Sequence, residues 1–431
     1  MAKNANNKVS IWQSLHNAWK VQDIRKKLIY TFFMLILFRL VGVIPAPGVD
    51  YVRVKSAMSG SNLPLLDLVN MMTGSNFSNM TIMAMGITPY INSSIIMQLL
   101  TIAIPALERL SKSGPDGQKK IASITRYVTV VLAVIQAIGL VYSLGYIKCG
   151  WFNTVLVGVS MAAGTALAMW IGERITANGL GNGVSLLIFA GIISNLFNGF
   201  TSLIANAFSA TSLTPWLTLL AVLLFALVMI VVVTFVDMGV RRIQVQYAKR
   251  VTGRKMYGGQ SSILPLKVCS VGVMPLIFAY SFMAFPSTLI QLFGGSESGL
   301  GLWWSRYMNY YSPLYMIVTA LLIIAFTYFY TSISFQPDEM AKNIQQQGGV
   351  IPHVRPGKPT ADFLARTNNR LTLFAALFLA VLATLPNLFT VGLQTSVPFA
   401  ASSLLIAVSV VLETKRQLDD LLVSRNYDTL T

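Results

Sequence analysis

The sequence predicts an all-α integral membrane protein with ten transmembrane helices in two pseudo-symmetric inverted halves of five, together with one short re-entrant helix. The chain is 54% hydrophobic and only 11% charged, whereas about a quarter of the residues of a soluble domain are charged. Apolar runs of about 20 residues, the length that crosses a bilayer, recur along the chain. Basic residues concentrate in every second gap between these runs. Together these observations define the fold class.

The apolar runs give the predicted spans in order. Each is close to the bilayer thickness in length and holds few or no charges. They lie near 28–44, 80–104, 127–147, 152–172, 183–203, 214–236, 268–293, 314–335, 371–392 and 395–412. Residues 1–27 are polar and basic, which is not the pattern of a cleaved signal peptide.

The distribution of Lys and Arg predicts the orientation. With the termini and alternate loops assigned to one side, that side holds 27 of the 32 basic residues. The other side holds only Arg53, Lys55, Lys148 and Arg306, and Arg39 lies inside the first span. Because cytoplasmic loops carry the excess of positive charge, we expect a multi-pass membrane protein with both termini in the cytoplasm.

The ten spans divide into two groups of five. Residues 1–203 form the predicted first half, 204–213 an external hinge loop, and 214–431 the second half. An odd number of spans per half places the halves in opposite orientations, which is the inverted-repeat plan of many transport proteins.

The predicted spans are almost free of charge, with Arg39 as the one charged residue. Ion-coupled transporters and proton pumps hold ionisable groups at membrane depth, so the sequence argues against both. Arg39 precedes Pro45 near the outer end of its span. We expect its long side chain to extend to the lipid headgroups, with a functional ion site as the alternative.

Enzymatic activity is not expected. The spans contain no His, Asp or Lys that could activate a nucleophile, and the chain has no Walker-type loop for ATP. Two Cys and two His in the whole chain do not provide a metal site. We therefore predict no catalytic residues, no metal and no cofactor.

A short helix is predicted at 63–74, in the external segment 45–79. Its apolar side chains recur at helical spacing and Gly74 ends it. Those side chains are Leu65, Leu66, Val69 and Met72. At about 12 residues the helix cannot cross a bilayer, so it either lies on the membrane surface or folds back into a cavity.

Two of the spans are unusually polar and rich in glycine or proline. The second contains Gly86 and Pro89, followed by Asn92, Ser93, Ser94 and Gln98. The fifth begins GLGNGVS, with Asn182 and Ser185 after closely spaced glycines. Freed backbone groups at membrane depth need partners within the protein. These helices therefore either line a path or are kinked helices packed through small residues.

Two loops predicted to be cytoplasmic, 237–267 and 336–370, are longer than a simple connection between helices needs to be. The first combines strand-like alternation with a basic cluster: Arg241, Arg242, Lys249, Arg250, Arg254 and Lys255. The second is a Gly- and Pro-rich turn that presents Arg355. Such loops attract phosphate-rich or acidic partners, although a solvated basic loop facing anionic lipid is the alternative.

The chain resembles the SecY family, the channel subunits of the bacterial protein translocase. Four stretches carry the resemblance: MAMGITPYINSSIIMQLL (83–100), WIGERITANGLGNGVSLLIFAGI (170–192), VGVMPLIFAYSFMAFP (271–286) and SLLIAV (403–408). Both long loops match as well, and the resemblance covers essentially the whole chain.

The resemblance implies a set of site residues. Six apolar side chains match the ring that narrows the pore of such channels: Met83, Ile87, Val184, Ile188, Ile277 and Ile406. The short helix at 63–74 matches the plug that closes this ring from outside. Asn92, Gln98, Asn182 and Ser185 are assigned to the lateral gate. Arg355 and the cluster Arg241, Arg242, Lys249 and Arg250 match the cytoplasmic loops that contact partners.

The implied function is that of a passive channel. It would conduct unfolded polypeptides across the membrane and release apolar segments sideways into the lipid. The implied partners are small SecE- and SecG-type membrane subunits, a SecA-type ATPase, the ribosome with its RNA, precursor proteins with their signal peptides, and anionic lipids. An inverted-repeat secondary transporter for a small amphiphile and a membrane scaffold are the alternatives. A transporter would need a coupling-ion site at membrane depth, and the predicted spans contain none. A scaffold would not need the glycine-broken helices that the sequence predicts around a cavity.

Overall fold

Long apolar helices make up most of the chain. The computed structural model describes residues 19–49, 74, 76, 79–144, 151–209, 214–247, 250–252, 255–257, 261–270, 272, 274–293, 299–308, 312–393 and 401–428. The described residues form two compact units: Met1–Leu220, Ser281–Tyr310 and Ser396–Thr431 in the first, and Ala221–Tyr280 and Tyr311–Thr395 in the second.

Up to Asp237 the described ranges contain seven helices. They are α1 (Gln22–Val41), α2 (Thr88–Ala103), α3 (Pro105–Lys112), α4 (Pro115–Leu144), α5 (Trp151–Asn178), α6 (Gly183–Ser209) and α7 (Thr214–Asp237). Within the first unit α5 packs between α4 and α6, and α1 lies against α5 and α6. The fully buried side chains of this core include Met161, Ile171, Ile175, Leu187 and Ile192.

The second part of the chain adds strands to the helices. In order it comprises β1 (Val240–Tyr247), β2 (Arg250–Thr252), β3 (Lys255–Tyr257), β4 (Ser261–Lys267), α8 (Met274–Phe293), α9 (Gly299–Tyr307), α10 (Pro313–Ser334), α11 (Pro337–Gln346), β5 (Gly349–Val350), α12 (Lys358–Leu393) and α13 (Ala401–Asp428). In the second unit α12 packs against α10 and α11.

Each of the ten predicted apolar runs contains a helix. Six helices in the described ranges are long and apolar enough to cross a membrane, and the bent pair α2–α3 adds a seventh if it counts as one span. The axes of α2 and α3 differ by 101°, with Pro105 at the start of α3. Because α3 is strongly amphipathic and carries Glu108, Arg109 and Lys112, this bend turns the chain from an apolar helix onto a surface helix.

The second span starts later than the sequence predicted. Residues 80–87 form successive turns, and α2 begins only at Thr88. Gly86 has a positive φ of 52°, which disfavours a helix there. Pro89 stands in the first turn of α2, where its missing N–H costs no hydrogen bond. The prediction of a proline-broken helix over 80–104 was therefore wrong in its boundary.

Segments predicted to be cytoplasmic meet at one end of the first unit. Ile24 near the start of α1, Leu180 in the α5–α6 turn and Leu418 in α13 form one buried cluster. The backbone N–H of Leu180 also donates to the Thr31 hydroxyl over 2.9 Å. At the same end Arg126 of α4 pairs with Glu173 of α5 at 2.7 Å. These contacts bring together segments that the basic residues assign to one side of the membrane.

The outer segment is joined to the end of α1 by backbone hydrogen bonds. Pro45 and Thr81 form an antiparallel bridge. The N–H of Ala46 donates to the Met80 carbonyl and the N–H of Ile82 to the Ile44 carbonyl, both over 3.0 Å. The predicted short helix at 63–74 lies outside the described residues except for Gly74, and the residues that connect α6 to α7, 210–213, also lie outside them.

Candidate functional site

The turns before α2 carry two of the six candidate ring residues. Met83 and Ile87 are buried, and the N–H of Gly86 donates to the Met83 carbonyl over 2.9 Å. Ile87 is the N-cap residue of α2. The helix α5 packs directly against these turns, because a Cβ on Gly164 of α5 would overlap the Ile82 carbonyl. These turns therefore place apolar side chains inside the first unit without a helix.

The start of α6 carries two more candidate ring residues. The Asn182 side-chain oxygen accepts from the N–H groups of Val184 and Ser185 over 3.1 and 3.5 Å, which is an N-cap geometry. A Cβ on Gly183 would overlap the Gly172 carbonyl of α5. The glycine-rich sequence thus allows a close α5–α6 turn. Ile188, one helical turn beyond Val184, is only 2% exposed, while Val184 is half-buried.

The remaining candidate ring residues lie in two later helices. Ile406 of α13 is buried in the first unit, where α13 packs against α6. Ile277 of α8 is buried in the second unit. Five of the six residues therefore belong to the first unit and one to the second. All are apolar, and all except Val184 are buried.

The four polar residues assigned to the lateral gate have different surroundings. Asn92 and Ser185 are buried, Asn182 caps α6, and Gln98 is exposed in the second half of α2. Next to Asn92, the fully buried Ser93 hydroxyl donates to the Pro89 carbonyl over 2.8 Å. Among these polar groups, Asn182 satisfies backbone N–H groups at the start of α6, whereas the Ser93 hydroxyl bonds to a carbonyl one turn earlier within α2.

Arg39 does not extend towards the headgroups as the sequence suggested. Its side chain turns into the first unit, where Nη1 donates to the Gly74 carbonyl over 3.3 Å and Nη2 donates to the Ala190 carbonyl of α6. The expectation that this side chain extends to the lipid headgroups was therefore wrong. Backbone carbonyls inside the protein are common partners of intramembrane arginines, and sequence spacing gave no sign of contacts with residues this distant along the chain.

The basic loop 237–267 forms a β-hairpin, as its alternation predicted. β1 pairs with β4 in antiparallel register from Val240–Lys267 to Gln246–Ser261, and β5 adds to the other edge of β1. Ile243 and Val245 point into a buried cluster with Leu266, Ile344 and Leu364. Arg241 and Arg242 are exposed. Lys249 and Arg254 lie outside the described residues, as do the side chains of Arg250 and Lys255.

Arg355 lies on an exposed turn, as predicted, but the loop around it is more ordered than the sequence suggested. The helix α11 and the strand β5 precede the turn, and α12 begins at Lys358, well before the predicted span at 371. Gly348 and Gly357 have positive φ angles of 70° and 94°. The hydroxyl of the buried Thr360 donates to the Arg355 carbonyl over 2.8 Å, which fixes the turn to the start of α12.

A cavity of about 540 Å³ lies beside the hairpin. Arg241, Arg242 and Arg370 line it, together with apolar side chains that include Ile351 and Phe363. Arg370 was missed by the sequence analysis, although it directly precedes the apolar run of the ninth span. Among the described residues no acidic side chain lines the cavity, so it combines three positive charges with an apolar wall and suits an anionic group.

Two further observations concern charge and metal chemistry. In α3 the exposed Lys112 ammonium donates to Glu108 over 2.6 Å, which lowers the pKa of the Glu108 carboxyl and raises that of Lys112. Among the described residues no group of three or more His, Cys, Asp or Glu side chains could hold a metal ion.

These features define a multi-pass helical membrane protein with an apolar, turn-interrupted interior and a basic β-hairpin extension. A family model named SecY matches residues 81–415. The chain is 41% identical over 430 residues to the protein translocase subunit SecY of Streptomyces scabiei, covering 95% of this chain and 98% of that protein. The chain belongs to the SecY family, which confirms the resemblance and the predicted fold class.

Solved structures show the same fold at lower identity. A protein-conducting channel superposes with a TM-score of 0.67 at 20% identity, covering 91% of both chains. Sec61 in the canine ribosome–channel complex superposes with a TM-score of 0.62 at 18% identity, again covering 91% of both.

Proposed function

We propose that this chain is the central pore-forming subunit of the protein translocase. It acts as a passive channel that conducts unfolded polypeptides across the bacterial cytoplasmic membrane and releases apolar segments laterally into the lipid. It has no catalytic activity of its own. Membership of the SecY family, whose relatives are translocase subunits, supports this function, and nothing in the comparisons supports a secondary transporter.

One observation carries the proposed mechanism. The chain leaves helical geometry at the turns before α2 and at the capped start of α6, and there it buries Met83, Ile87 and Ile188. Stripping water from an ion at an apolar constriction is costly, so such a neck is closed to ions by dewetting. Flexible aliphatic side chains also deform around a passing polypeptide of any sequence. We propose that Val184, Ile277 and Ile406 complete this ring.

The plug and the lateral gate extend the same proposal. Residues 63–74, with Leu65, Leu66, Val69 and Met72, would close the ring from the outside. Asn92, Gln98, Asn182 and Ser185 would lie near the gate. A gate of this kind lets a translocating segment of about 20 apolar residues partition into lipid.

The basic hairpin is proposed as the partner-binding surface. Arg241, Arg242 and Arg355 are exposed, and Lys249 and Arg250 are added from the sequence. Such a surface suits ribosomal RNA and a SecA-type ATPase, and the relative Sec61 has been solved in a ribosome–channel complex. The cavity beside Arg370 suits anionic groups, including anionic lipids. SecE- and SecG-type subunits complete the assembly.

The proposed topology follows the basic residues. Both termini are cytoplasmic, and residues 1–203 and 214–431 form inverted halves around the external loop 204–213. The cluster that joins Ile24, Leu180 and Leu418 supports this arrangement, because it brings together three segments assigned to the cytoplasmic side.

Reconstitution tests the function directly. Vesicles that contain the purified chain with its small subunits should import an unfolded precursor only when the ATPase and ATP are both present. Solute uptake driven by an ion gradient, without movement of the precursor, would contradict the proposal. Vesicles with the chain but without ATP are the matched control.

A further inference from the structure

The three-stranded sheet of the hairpin is incomplete along one edge. β1 pairs with β4 from Val240 to Gln246, but it pairs with β5 only at Gln246 and Tyr247. In the part of the chain that the structure describes, no strand pairs with residues 240–245 on the side away from β4. Every second residue of an antiparallel strand directs its N–H and C=O away from a given neighbour. This stretch of β1 therefore presents a free edge.

The local sequence ends the third strand early. If β5 continued in its register, the residue opposite Gln244 would be Pro352, which has no N–H to donate to a ladder. His353 has a positive φ of 65°, which lies outside the extended region. The N–H of Val354 then donates to the Ile351 carbonyl over 3.1 Å, which closes a turn. The chain therefore leaves the sheet directly after β5.

The cavity of about 540 Å³ lies beside this free edge. Its lining includes four consecutive residues of β1, 241–244. Neighbouring residues of a strand point to opposite faces, so a cavity that reaches all four lies at the edge of the strand. Ile351 and Pro352 form a second wall, and α12 forms a third with side chains at helical spacing: Phe363, Thr367, Arg370 and Leu371. The cavity therefore stands where a further strand would lie.

The lining combines positive charge with apolar surface. Arg241 and Arg242 of β1 and Arg370 of α12 are exposed, and no acidic residue is among the described lining residues. Ile243 and Ile351 are buried and provide an apolar floor. An occupant that carries both anionic and apolar groups complements this lining.

An extended polypeptide meets the requirements of both the edge and the arginines. A phosphate or a lipid headgroup offers acceptors to the arginines, but it has no row of donors for the outward C=O groups of β1. A peptide backbone has donors and acceptors at the spacing of a strand, and extended segments bind exposed sheet edges in this way. Four residues of such a segment span about 13 Å.

We infer that the cavity is a β-addition site for an extended, acidic segment of a partner polypeptide. The backbone of the segment pairs with the free edge of β1, and its carboxylates bind Arg241, Arg242 and Arg370. The inference deepens the proposed partner-binding surface and rests on the proposed function for its role in the cell. Arg355 does not line the cavity and is not part of this site.

The test is peptide binding to the purified chain with its small subunits in nanodiscs of zwitterionic lipid. The probe is a fluorescent hexapeptide, Val-Glu-Val-Glu-Val-Glu, whose three carboxylates equal the arginines in number. Fluorescence anisotropy should show saturable binding. Amide hydrogen exchange over 241–245 should slow about tenfold, because the added strand protects the edge. Absence of saturable binding, or binding without this protection, would overturn the inference.

Altered peptides separate backbone pairing from charge. Two isomers carry N-methyl groups on alternate residues, and the isomer whose methyl groups face β1 should bind about tenfold more weakly than the other, since its backbone donors are lost. Replacing every Glu by Gln should weaken binding about 100-fold, because the charge-assisted bonds are lost. Equal binding of both methylated isomers would overturn the inference. Tighter binding of dioctanoyl phosphatidylglycerol or of an RNA oligonucleotide, with displacement of the peptide, would also overturn it.

Matched variants of α12 locate the site. Arg370→Gln should weaken peptide binding about tenfold, whereas Arg366→Gln, which removes an exposed arginine outside the cavity, should not. Thr367→Trp fills the cavity and keeps its charges, and it should abolish binding. Asn369→Trp places the same side chain at an exposed position outside the cavity and should bind normally. Equal loss of binding within either pair would overturn the inference.

Peptide binding requires no transport, so the two proposals fail separately. If the peptide binds as expected but reconstituted vesicles import no precursor with ATPase and ATP, the inference stands and the proposed function fails. If import is normal and the peptide does not bind, the inference alone fails.

Discussion

The interior of the first unit and the basic hairpin of the second unit place their arginines in opposite surroundings. In the interior Arg39 has its guanidinium bonded to two backbone carbonyls, and the candidate ring residues Met83, Ile87 and Ile188 are apolar and buried. At the hairpin Arg241 and Arg242 are exposed, and with Arg370 they line a cavity that has no acidic residue among its described lining residues. The comparison teaches that the arginine inside the first unit has its donors occupied by backbone carbonyls, whereas the arginines of the hairpin are left exposed, where we propose that a partner binds.

The largest effect is expected from a polar group placed in the interior of the first unit. Ile188 is 2% exposed, and Ile188→Asn buries an amide at a cost of about 1–3 kcal/mol when it finds no partner. The resting ion leak of reconstituted vesicles should rise about 10- to 100-fold, because the closed state loses that free energy. Ile188→Leu keeps the apolar surface and serves as control. An unchanged leak in Ile188→Asn would show that this position does not contribute to the seal.

The second prediction reverses charge at the hairpin. Arg241→Glu with Arg242→Glu should lower ATPase-driven export about tenfold, because charges across an interface control association, and should leave the resting leak unchanged. Export by the unmodified protein should also fall as salt screens the exposed arginines. Arg306→Glu, on the side assigned as external, is the control. A raised leak in the double variant would mean that the two regions are not separate in function.

The third prediction concerns a single exposed charge. Arg355→Glu should reduce export about fivefold or less, since an exposed ion pair contributes up to about 1 kcal/mol. Membrane insertion of the protein itself should be normal, because the turn is exposed and Thr360 still binds the Arg355 carbonyl. Arg355→Lys keeps the charge and should export nearly as well. Normal export by Arg355→Glu would remove this turn from the docking surface.

The apolar helices and the β-hairpin could be predicted from the sequence because their signals are local. Runs of about 20 apolar residues can hardly be anything but spans, and alternation over Val240–Tyr247 is the pattern of a strand. The resemblance to the SecY family also supplied candidate ring positions that composition alone does not provide.

What could not be predicted depends on contacts between distant segments. Pro89 suggested a broken helix, but the start of α2 was set by the turns before it and by the positive φ of Gly86. Arg39 was expected at the lipid headgroups because its partners are the backbone carbonyls of Gly74 and Ala190. Every residue has such a carbonyl, so the sequence of side chains does not indicate which ones Arg39 contacts. Arg370 was overlooked because only the fold brings it beside Arg241.

The smallest expected effect tests whether the hairpin side presents Arg355 on a rigid turn. Thr360 is buried, and its hydroxyl donates to the Arg355 carbonyl over 2.8 Å. Thr360→Val removes this hydrogen bond, worth about 1 kcal/mol, so amide hydrogen exchange near Arg355 should accelerate about fivefold. Export should fall less than twofold.

Thr367→Val is the matched control for this last change. The Thr367 hydroxyl donates to the Phe363 carbonyl over 2.8 Å within the same helix, α12, so its loss leaves the turn intact. Faster exchange in Thr360→Val alone would show that the turn is held by this one bond. Equal exchange in both variants would mean that the backbone hydrogen bonds from Thr360 and Ala361 to the Gly357 carbonyl suffice to present the arginine.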